Sequence, residues 1–457
     1  MIKTFGTTLV VQLLMMLEKT AAGFHIGNIN VAFPTCADDM LLMATSITEL
    51  QLLLNLVTLY ANEEHYVLHP IKSLVIPFNV TSKSGLDALA ICSPWTINGI
   101  PLPIENMLVH LGIQRGNTLK CETVDHRILT ARRTMYALMG AGLHGLNGLP
   151  VPTCLHLYQT YVLPRLTYGL ETINLRKSEL LALETFHRFA LRCILGLPKR
   201  TAAPALYTLT GILPIEYLLD IKYLTSLYSL LSSEVTREVI LRQYVVKDSH
   251  SSSIVLLFKD LLQKYDLPTI YDLTSTTLTK QEWKINVKRT VHTKASNELA
   301  GNASGFKTLR FLAHSFAIKS VHSVIANCIN SRQVIRANVK LRLLVGVYHL
   351  QTLNMIMHKS NNGLCPLCSL SPEDVSHFLL NCDHLKNIRL NYIQRILTYL
   401  PDSVADDIQV VQFILDSSKY ELENKAQFEM LTTDFIYALH IERTLQLTLR
   451  RALTVTQ

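Results

Sequence analysis

The sequence predicts an α+β fold with a small antiparallel sheet near its N-terminus, a mostly α-helical remainder and a small zinc knuckle. Short apolar runs separated by turn residues fill the chain up to residue 118. Apolar residues at helical spacing dominate from about residue 121 onwards, and a Cys/His cluster lies at residues 365–382. A run of strands followed by a run of helices is typical of α+β proteins.

Composition excludes several classes of protein. The chain of 457 residues is longer than a single hydrophobic core usually supports, so several domains are expected. Nine cysteines without an export signal favour a reduced, intracellular protein of the nucleus or cytoplasm over a secreted disulfide scaffold. The apolar stretch at 9–17 is shorter than the roughly 20 residues that a membrane span needs, so no membrane partner is expected.

The first predicted elements surround a pair of adjacent aspartates, Asp38 and Asp39. The segments 28–34 (NINVAFP) and 40–46 (MLLMATS) predict two strands on either side of this pair. Two interpretations of the pair stay open. It is either a turn at the tip of a hairpin, where Asp is common, or a metal site at that tip.

One helix and two further strands are predicted after this hairpin. Ser46 followed by Glu49 is a capping-box pattern, and the leucines behind it predict a helix that runs to about Glu64. Short apolar segments at 72–78 (KSLVIPF) and 107–113 (MLVHLGI) predict two more strands.

The rest of the chain has an almost purely helical pattern. Residues 178–195 predict a helix that ends at Gly196, with Pro198 just beyond it. Three charged residues spaced four apart are expected to form a solvated, ion-paired face of this helix: Glu184, Arg188 and Arg192. Breaks rich in serine and threonine at 249–253 and 274–279 predict loops.

The segment 299–372 carries cations and neither Asp nor Glu. Its eight cationic residues are Lys307, Arg310, Lys319, Arg332, Arg336, Lys340, Arg342 and Lys359. Arg332, Arg336 and Lys340 stand at i, i+4 and i+8, so on a helix they form one basic stripe, which Arg342 extends. With no acidic residue nearby in sequence, the stripe is expected to bind nucleic-acid phosphate, the alternative being a plain soluble face.

The Cys/His cluster has the spacing C-x2-C-x8-H-x4-C. Its four candidate ligands are Cys365, Cys368, His377 and Cys382. Ser371 and Asp374 form a capping-box pattern, which predicts a short helix that carries His377. Three thiolates and one imidazole complete a closed tetrahedral zinc site, which predicts a structural zinc ion. The alternatives are a reduced cysteine pair beside an unrelated His and Cys, or His384 as a substitute ligand for Cys382.

Several of these stretches resemble the reverse transcriptases of non-LTR (LINE-type) retrotransposons. The motif CADD (36–39) resembles the Y/F-x-D-D signature of that family, and HLGI (110–113) resembles its Y-L-G-I primer-grip strand. LHPIKSLVI (68–76) is similar to the segment whose lysine would be Lys72, and YVLPRLTYGLE (161–171) resembles the helical region after the polymerase core. The Cys/His cluster occupies the place of the family's zinc-binding segment.

The resemblance implies a fold, an activity and partners. It implies a partial palm at 1–118, a helical thumb and post-polymerase region at 119–245, a basic helical region at 246–345, a zinc-binding segment at 346–395 and C-terminal helices at 396–457. The family synthesises DNA on an RNA template, so RNA and DNA are the implied partners. Asp38 and Asp39 would be catalytic and bind Mg²⁺ in a two-metal site.

The same resemblance predicts that this chain is incomplete as an enzyme. In the family another essential aspartate comes from a strand far upstream, and only about 35 residues precede Asp38 here. The chain is therefore expected to be a C-terminal fragment that does not polymerise by itself. Two alternatives remain, a non-enzymatic nucleic-acid-binding zinc module and a decayed relic of a retroelement.

Overall fold

The computed structural model describes residues 2–37, 39–69, 72–78, 95–116, 122–245, 253–275, 278–313, 320–401, 404 and 406–455. The predicted α+β class is confirmed, because helices dominate and the strands form small two-stranded antiparallel sheets. The described residues group into two compact units. One unit comprises Met1–His126 with Leu230–His250, and the other comprises Arg127–Ser229 with Ser251–Gln457. The five-part division expected from sequence remains a prediction.

The strands among the described residues lie before residue 117. They are β1 (His25–Ile26), β2 (Ile29–Asn30), β3 (Thr35–Cys36), β4 (Asp39–Met40), β5 (Thr96–Ile97), β6 (Ile100–Pro101), β7 (Met107–His110) and β8 (Ile113–Gly116). They form four antiparallel hairpins, in which β1 pairs with β2, β3 with β4, β5 with β6 and β7 with β8.

Within the part of the chain that the structure describes, the helices before residue 246 are α1 (Ile2–Glu18), α2 (Ile47–Glu63), α3 (Glu122–Gly140), α4 (Val151–Leu157), α5 (Leu163–Thr167), α6 (Lys177–Leu195), α7 (Ala203–Thr210), α8 (Ile215–Leu231) and α9 (Glu234–Val245). The later helices are α10 (Ile254–Lys264), α11 (Ile270–Ser275), α12 (Lys280–Ser304), α13 (Ser323–Ala326), α14 (Ser331–Leu344), α15 (Gln351–Ile356), α16 (Lys386–Leu397), α17 (Asp407–Leu415) and α18 (Lys425–Val455). Two π-helical turns, Tyr158–Val162 and His377–Asn381, interrupt this pattern.

The predicted strands of the first unit are longer than the observed ones. The segment 28–34 contributes only β2, and 40–46 contributes only the end of β4. The segment 72–78 makes a single parallel bridge, between Val75 and Ile104. Within 107–113 the chain reverses: His110 pairs with Ile113 across a two-residue turn in which Leu111 and Gly112 both have positive φ. Apolar runs alone cannot distinguish long strands from tight hairpins, because the two-residue alternation of a strand is recognisable only over several residues.

Helix α2 begins at the predicted cap. The Ser46 hydroxyl accepts a hydrogen bond from the Glu49 amide at 3.2 Å. The Glu49 carboxylate does not close the expected box on Ser46. It accepts instead from the amides of Gly23 at 2.8 Å and Thr45 at 2.9 Å, and these bonds lower the pKa of Glu49. The cap therefore also ties the chain before β1 to the start of α2.

Helix α6 ends where the sequence predicts. Gly196 has φ of 63°, the left-handed conformation that favours glycine at a helix C-terminus. A Cβ there would lie 2.4 Å from both the Gly145 carbonyl oxygen and the Asn338 side-chain amide, so glycine is also required for close packing.

The prediction that Glu184, Arg188 and Arg192 form a solvated face of α6 is wrong in part. Glu184 and Arg188 do form an i, i+4 ion pair at 3.8 Å. Glu184 also accepts hydrogen bonds from the Tyr207 hydroxyl and from the Ile215 amide, and Arg192 donates to the Thr201 carbonyl oxygen. These charged groups hold α7 and the start of α8 against α6, which local spacing alone does not reveal.

The core of the second unit includes the contacts of α14 and α16 with α18, and α17 adds an aromatic contact. Phe413 of α17 and Phe428 of α18 are fully buried, with ring centroids 4.6 Å apart. Burying one such side chain contributes about 1.5–3 kcal/mol. The packing fixes α18 as the element against which both the basic stripe and the Cys/His segment are positioned.

None of the described helices combines the length and the apolar composition that crossing a bilayer requires.

Candidate metal centre

The first two cysteines lie on a tight turn closed by backbone hydrogen bonds. Leu364 and Pro372 form an antiparallel bridge, and the Cys365 amide donates to the Ser371 carbonyl oxygen at 2.8 Å. The Ser369 amide donates back to the Cys365 carbonyl oxygen at 2.8 Å, with Ser369 in the left-handed region. The chain thus folds back within four residues, which brings the Cys365 and Cys368 side chains to the same side.

The other two candidate ligands lie on a wide helical turn. The Asp374 carboxylate accepts from the His377 amide at 2.8 Å, so Asp374 caps this turn and the predicted cap at Ser371 is wrong. The Cys382 amide donates to the His377 carbonyl oxygen at 2.9 Å, five residues back. In an α-helix, residues five apart point about 140° away from each other. The π-helical turn realigns them, so His377 and Cys382 face the same point.

The structure brings all four predicted ligands together. Their ligand atoms lie within 4.8 Å of one another. The Cys368 sulfur lies 3.4 Å from His377 Nε2, and the Cys365 and Cys382 sulfurs lie 3.9 Å apart. Cys365, His377 and Cys382 are buried, and Cys368 is half-buried. This arrangement could hold a metal ion, and it is the one such group of three or more His, Cys, Asp or Glu among the described residues.

Burial makes the cluster unfavourable for bare thiolates. It raises the pKa of Cys365 to about 12 and also raises the pKa of Cys382. Burial lowers the pKa of His377, which keeps the imidazole neutral and able to bind a cation through Nε2. Burial also acts to raise the pKa of Cys368, but hydrogen bonds from the backbone at Leu370 and Ser371 outweigh burial and lower this pKa. A bound cation would compensate the thiolate charges that burial disfavours.

His384 is not part of the cluster. Its Nε2 accepts a hydrogen bond from the Arg450 guanidinium at 3.2 Å. Cys382 therefore remains the fourth candidate ligand, as the spacing predicts.

Helix α18 holds the Cys/His segment through two arginines. Arg443 forms a two-point ion pair with Glu373, at 2.7 and 2.8 Å, in which both side chains are almost fully buried. Arg450 donates to the carbonyl oxygens of Pro366 and Leu367 on the cysteine turn. Arg443 and Arg450 are seven residues apart, two helical turns, so they lie on one face of α18.

A third arginine holds the other side of the cluster. Arg389 of α16 donates to the carbonyl oxygens of Leu379 and Cys382, at 2.9 and 2.8 Å. Local sequence patterns do not reveal these supporting arginines. The spacing of Arg443 and Arg450 was the available signal, but the partners of both lie 70 or more residues away in sequence.

The basic stripe on α14 is largely internal, which corrects the expectation that it lacks acidic partners. Lys340 is fully buried, and its amino group donates to Glu429 and to Thr432, each at 2.7 Å. Arg336 forms an ion pair with Asp434. Both acids lie on α18, far from α14 in sequence, so a local count of acidic residues could not reveal them.

The ends of the stripe differ from its centre. Arg342 donates to the Gly196 carbonyl oxygen at 3.1 Å, and burial lowers its pKa. Arg332 is exposed and forms no ion pair with any described residue. Of the four predicted phosphate contacts, only Arg332 presents its charge fully to solvent, and Lys340 has no route to an external phosphate in this fold.

Asp39 lies in the β3–β4 hairpin and belongs to no group of three or more candidate metal ligands among the described residues. Cys36 pairs with Asp39 across the end of the β3–β4 hairpin, and Ala37 has positive φ. Asp39 is exposed, and Asp38 lies outside the described residues. Lys72 is also exposed, and its amide donates to the His69 carbonyl oxygen. The hairpin was predicted; Mg²⁺ binding stays a prediction.

Neither a comparison with protein-family models nor a search among curated proteins finds a match for this chain.

Proposed function

We propose that the chain binds one structural zinc ion through Cys365, Cys368, His377 and Cys382. The observation that supports this most directly is the convergence of four soft donor atoms within 4.8 Å. Zinc bonds of about 2.3 Å to sulfur in a tetrahedron place two sulfurs about 3.8 Å apart, near the 3.9 Å between Cys365 and Cys382. Three thiolates favour zinc over magnesium or calcium, which take oxygen ligands.

The role of this zinc is structural. Four protein ligands leave no position for a water molecule or a substrate, which a catalytic zinc needs. The ion would instead lock the cysteine turn and the π-helical turn together. Because Arg450, Arg443 and Arg389 attach these two turns to α18 and α16, the ion would stabilise the end of the second unit.

Metal analysis of the reduced, purified chain tests this proposal. We expect one zinc per chain, loss of that zinc in Cys365→Ser, and its retention in Cys193→Ser. Cys193 is a half-buried cysteine outside the cluster and serves as the matched control. Zinc well below one per chain, or equal zinc in both variants, would reject the site.

We further propose that the chain derives from a non-LTR retrotransposon reverse transcriptase and binds RNA or DNA. The resemblance of CADD, HLGI and the helical segments supports this origin, and so does the Cys/His cluster. The hairpins at β3–β4 and β7–β8 fit the expected positions of the aspartate pair and of the primer grip. A net charge of +8 supports an anionic partner.

Primer extension on an RNA template tests the enzymatic part of the family's activity. Two-metal transfer needs several converging carboxylates, and Asp39 belongs to no such group among the described residues. We therefore expect nucleic-acid binding without template-dependent synthesis. Synthesis that requires Mg²⁺ and disappears in Asp39→Ala would instead establish the chain as a polymerase.

A further inference from the structure

A run of cations on α12, outside the predicted stripe, is presented to solvent. Between residues 280 and 297 the sequence contains five Lys and Arg and one acidic residue. The cations are Lys280, Lys284, Lys288, Arg289 and Lys294. Lys294 turns inward and donates to the Lys264 carbonyl oxygen at 2.8 Å, which leaves four on the outer side.

Packing fixes which side of α12 faces solvent. A ridge of residues spaced four apart is buried along the helix: Trp283, Val287, Val291, Ala295, Leu299 and Ala303. Trp283 anchors this ridge, because its indole nitrogen donates to the Leu224 carbonyl oxygen at 2.9 Å. Lys280, Lys284 and Arg289 are consequently exposed, and Lys288 is half-buried.

Three cations of this face have no acidic partner among the residues that the structure describes. Helix α12 contains two acids, Glu282 and Glu298. Glu282 accepts hydrogen bonds from the Thr279 amide and hydroxyl, each at 2.8 Å, and so caps the first turn. Glu298 accepts from the Tyr217 hydroxyl. Lys280, Lys284 and Arg289 form no ion pair with a described residue, and Arg289 donates only to the neutral Asn286 side chain. Lys340 differs from these residues, because its acidic partner Glu429 is buried beside it.

We propose that the cationic face of α12 (Lys280, Lys284, Lys288 and Arg289) binds the phosphate backbone of duplex nucleic acid, an inference that rests on the nucleic-acid binding proposed above. Lysines four apart on a helix recur about every 6 Å, which suits a row of phosphates. Duplex DNA carries about one negative charge per 1.7 Å of its axis, so its charge density is higher than that of a single strand.

The face carries no group suited to reading bases. Trp283 is fully buried, and the segment 280–297 contains no other Trp, Tyr or Phe. Single-strand binders use exposed aromatic rings on which bases stack. Backbone contact by lysine therefore implies binding that is independent of sequence and as strong for a duplex as for a single strand, or stronger.

Fluorescence anisotropy with a short random-sequence duplex, titrated at several salt concentrations, tests the surface. The double variant Lys280→Gln, Lys284→Gln should weaken binding to all sequences alike. It should also lower the slope of log affinity against log salt by about two, one for each lysine removed. The matched control is Lys199→Gln, Lys419→Gln, which removes two exposed cations elsewhere in the same unit and should leave the slope unchanged. Lys280→Arg, Lys284→Arg should retain it.

Each other outcome has a distinct meaning. Equal losses in the α12 and control variants would overturn the localisation while leaving nucleic-acid binding intact. Absence of binding by the unmodified chain would overturn the proposed nucleic-acid function itself. Binding to phosphatidylserine vesicles that depends on Lys280 and Lys284, without binding to the duplex, would replace nucleic acid by an anionic membrane surface.

Discussion

The position of Lys340 in the fold differs from the one that its local sequence pattern predicts. Its spacing from Arg332 and Arg336 indicates a surface stripe, yet its amino group is fully buried against Glu429 and Thr432. A lysine is buried in this way only when it is paired, because an isolated buried charge is very unfavourable. The pair therefore belongs to the core between α14 and α18.

Replacing Lys340 by Met should destabilise the protein strongly. Removing one partner of a buried ion pair leaves the other charge uncompensated, which costs about 3–5 kcal/mol in the free energy of unfolding. Urea unfolding measures this, with Arg332→Met as the exposed control, for which we expect little change. The double variant Lys340→Met, Glu429→Met should recover most of the loss, and failure of Lys340→Met to destabilise would contradict the buried pairing.

Asp416 should make stability depend on pH in the acidic range. Burial favours the neutral carboxyl, but hydrogen bonds from His322 at 3.1 Å and from the amides of Ser418 and Ala313 outweigh burial and hold the pKa of Asp416 well below its usual range. A carboxyl whose pKa is lower in the folded state adds stability above its unfolded pKa, about 3.9, and this stability is lost as the pH falls towards the folded pKa.

The measurement is the free energy of unfolding of the unmodified chain and of Asp416→Asn between pH 7 and pH 3. The difference between the two should be constant above about pH 5 and should shrink below about pH 4. A difference that stays the same down to pH 3 would show that the Asp416 carboxylate gains nothing from its partners.

At the scale of elements, prediction succeeded where the determinants are local. The end of α6 at Gly196 and the start of α2 at Ser46 both follow from the conformations that single residues prefer. Prediction failed for the strands at 28–34 and 72–78, which are stabilised by hairpin register and by a single bridge to Ile104. It also failed for the helix cap at Ser371, because Asp374 competes for the same role.

The contact between α18 and the Cys/His segment should depend on the metal. Arg450 binds carbonyl oxygens of the cysteine turn, which a zinc ion would hold in place. Losing such charge-assisted bonds costs about 1.5–3 kcal/mol. Chelation should therefore speed amide hydrogen exchange at 441–453 by about 10- to 100-fold, and zinc should reverse the change.

Exchange along α12 serves as the internal control for this experiment. Its core ridge packs elsewhere, around Trp283 and Leu224, and we expect little change there on chelation. Unchanged exchange at 441–453 after zinc is removed would mean that α18 holds the segment without help from the metal.

For the whole molecule, the sequence predicted the composition of the metal site but not its surroundings. The four ligands are recognisable because they lie within 18 residues and their spacing is restrictive. The ion pairs that hold the site and the stripe join residues 70 to 98 positions apart, as in Arg443 with Glu373 and Arg336 with Asp434. Such partners are set by helix packing, which local patterns do not encode.

X-ray absorption at the zinc edge of the purified, reduced chain tests the central claim most directly, namely that Cys365, Cys368, His377 and Cys382 form one closed zinc site. We expect three sulfur neighbours at about 2.3 Å and one nitrogen at about 2.0–2.1 Å. With one equivalent of zinc added back, Cys382→Ser should show one sulfur fewer in this shell, whereas Cys328→Ser should leave it unchanged. A shell dominated by oxygen and nitrogen, or one that does not respond to Cys382→Ser, would contradict the account.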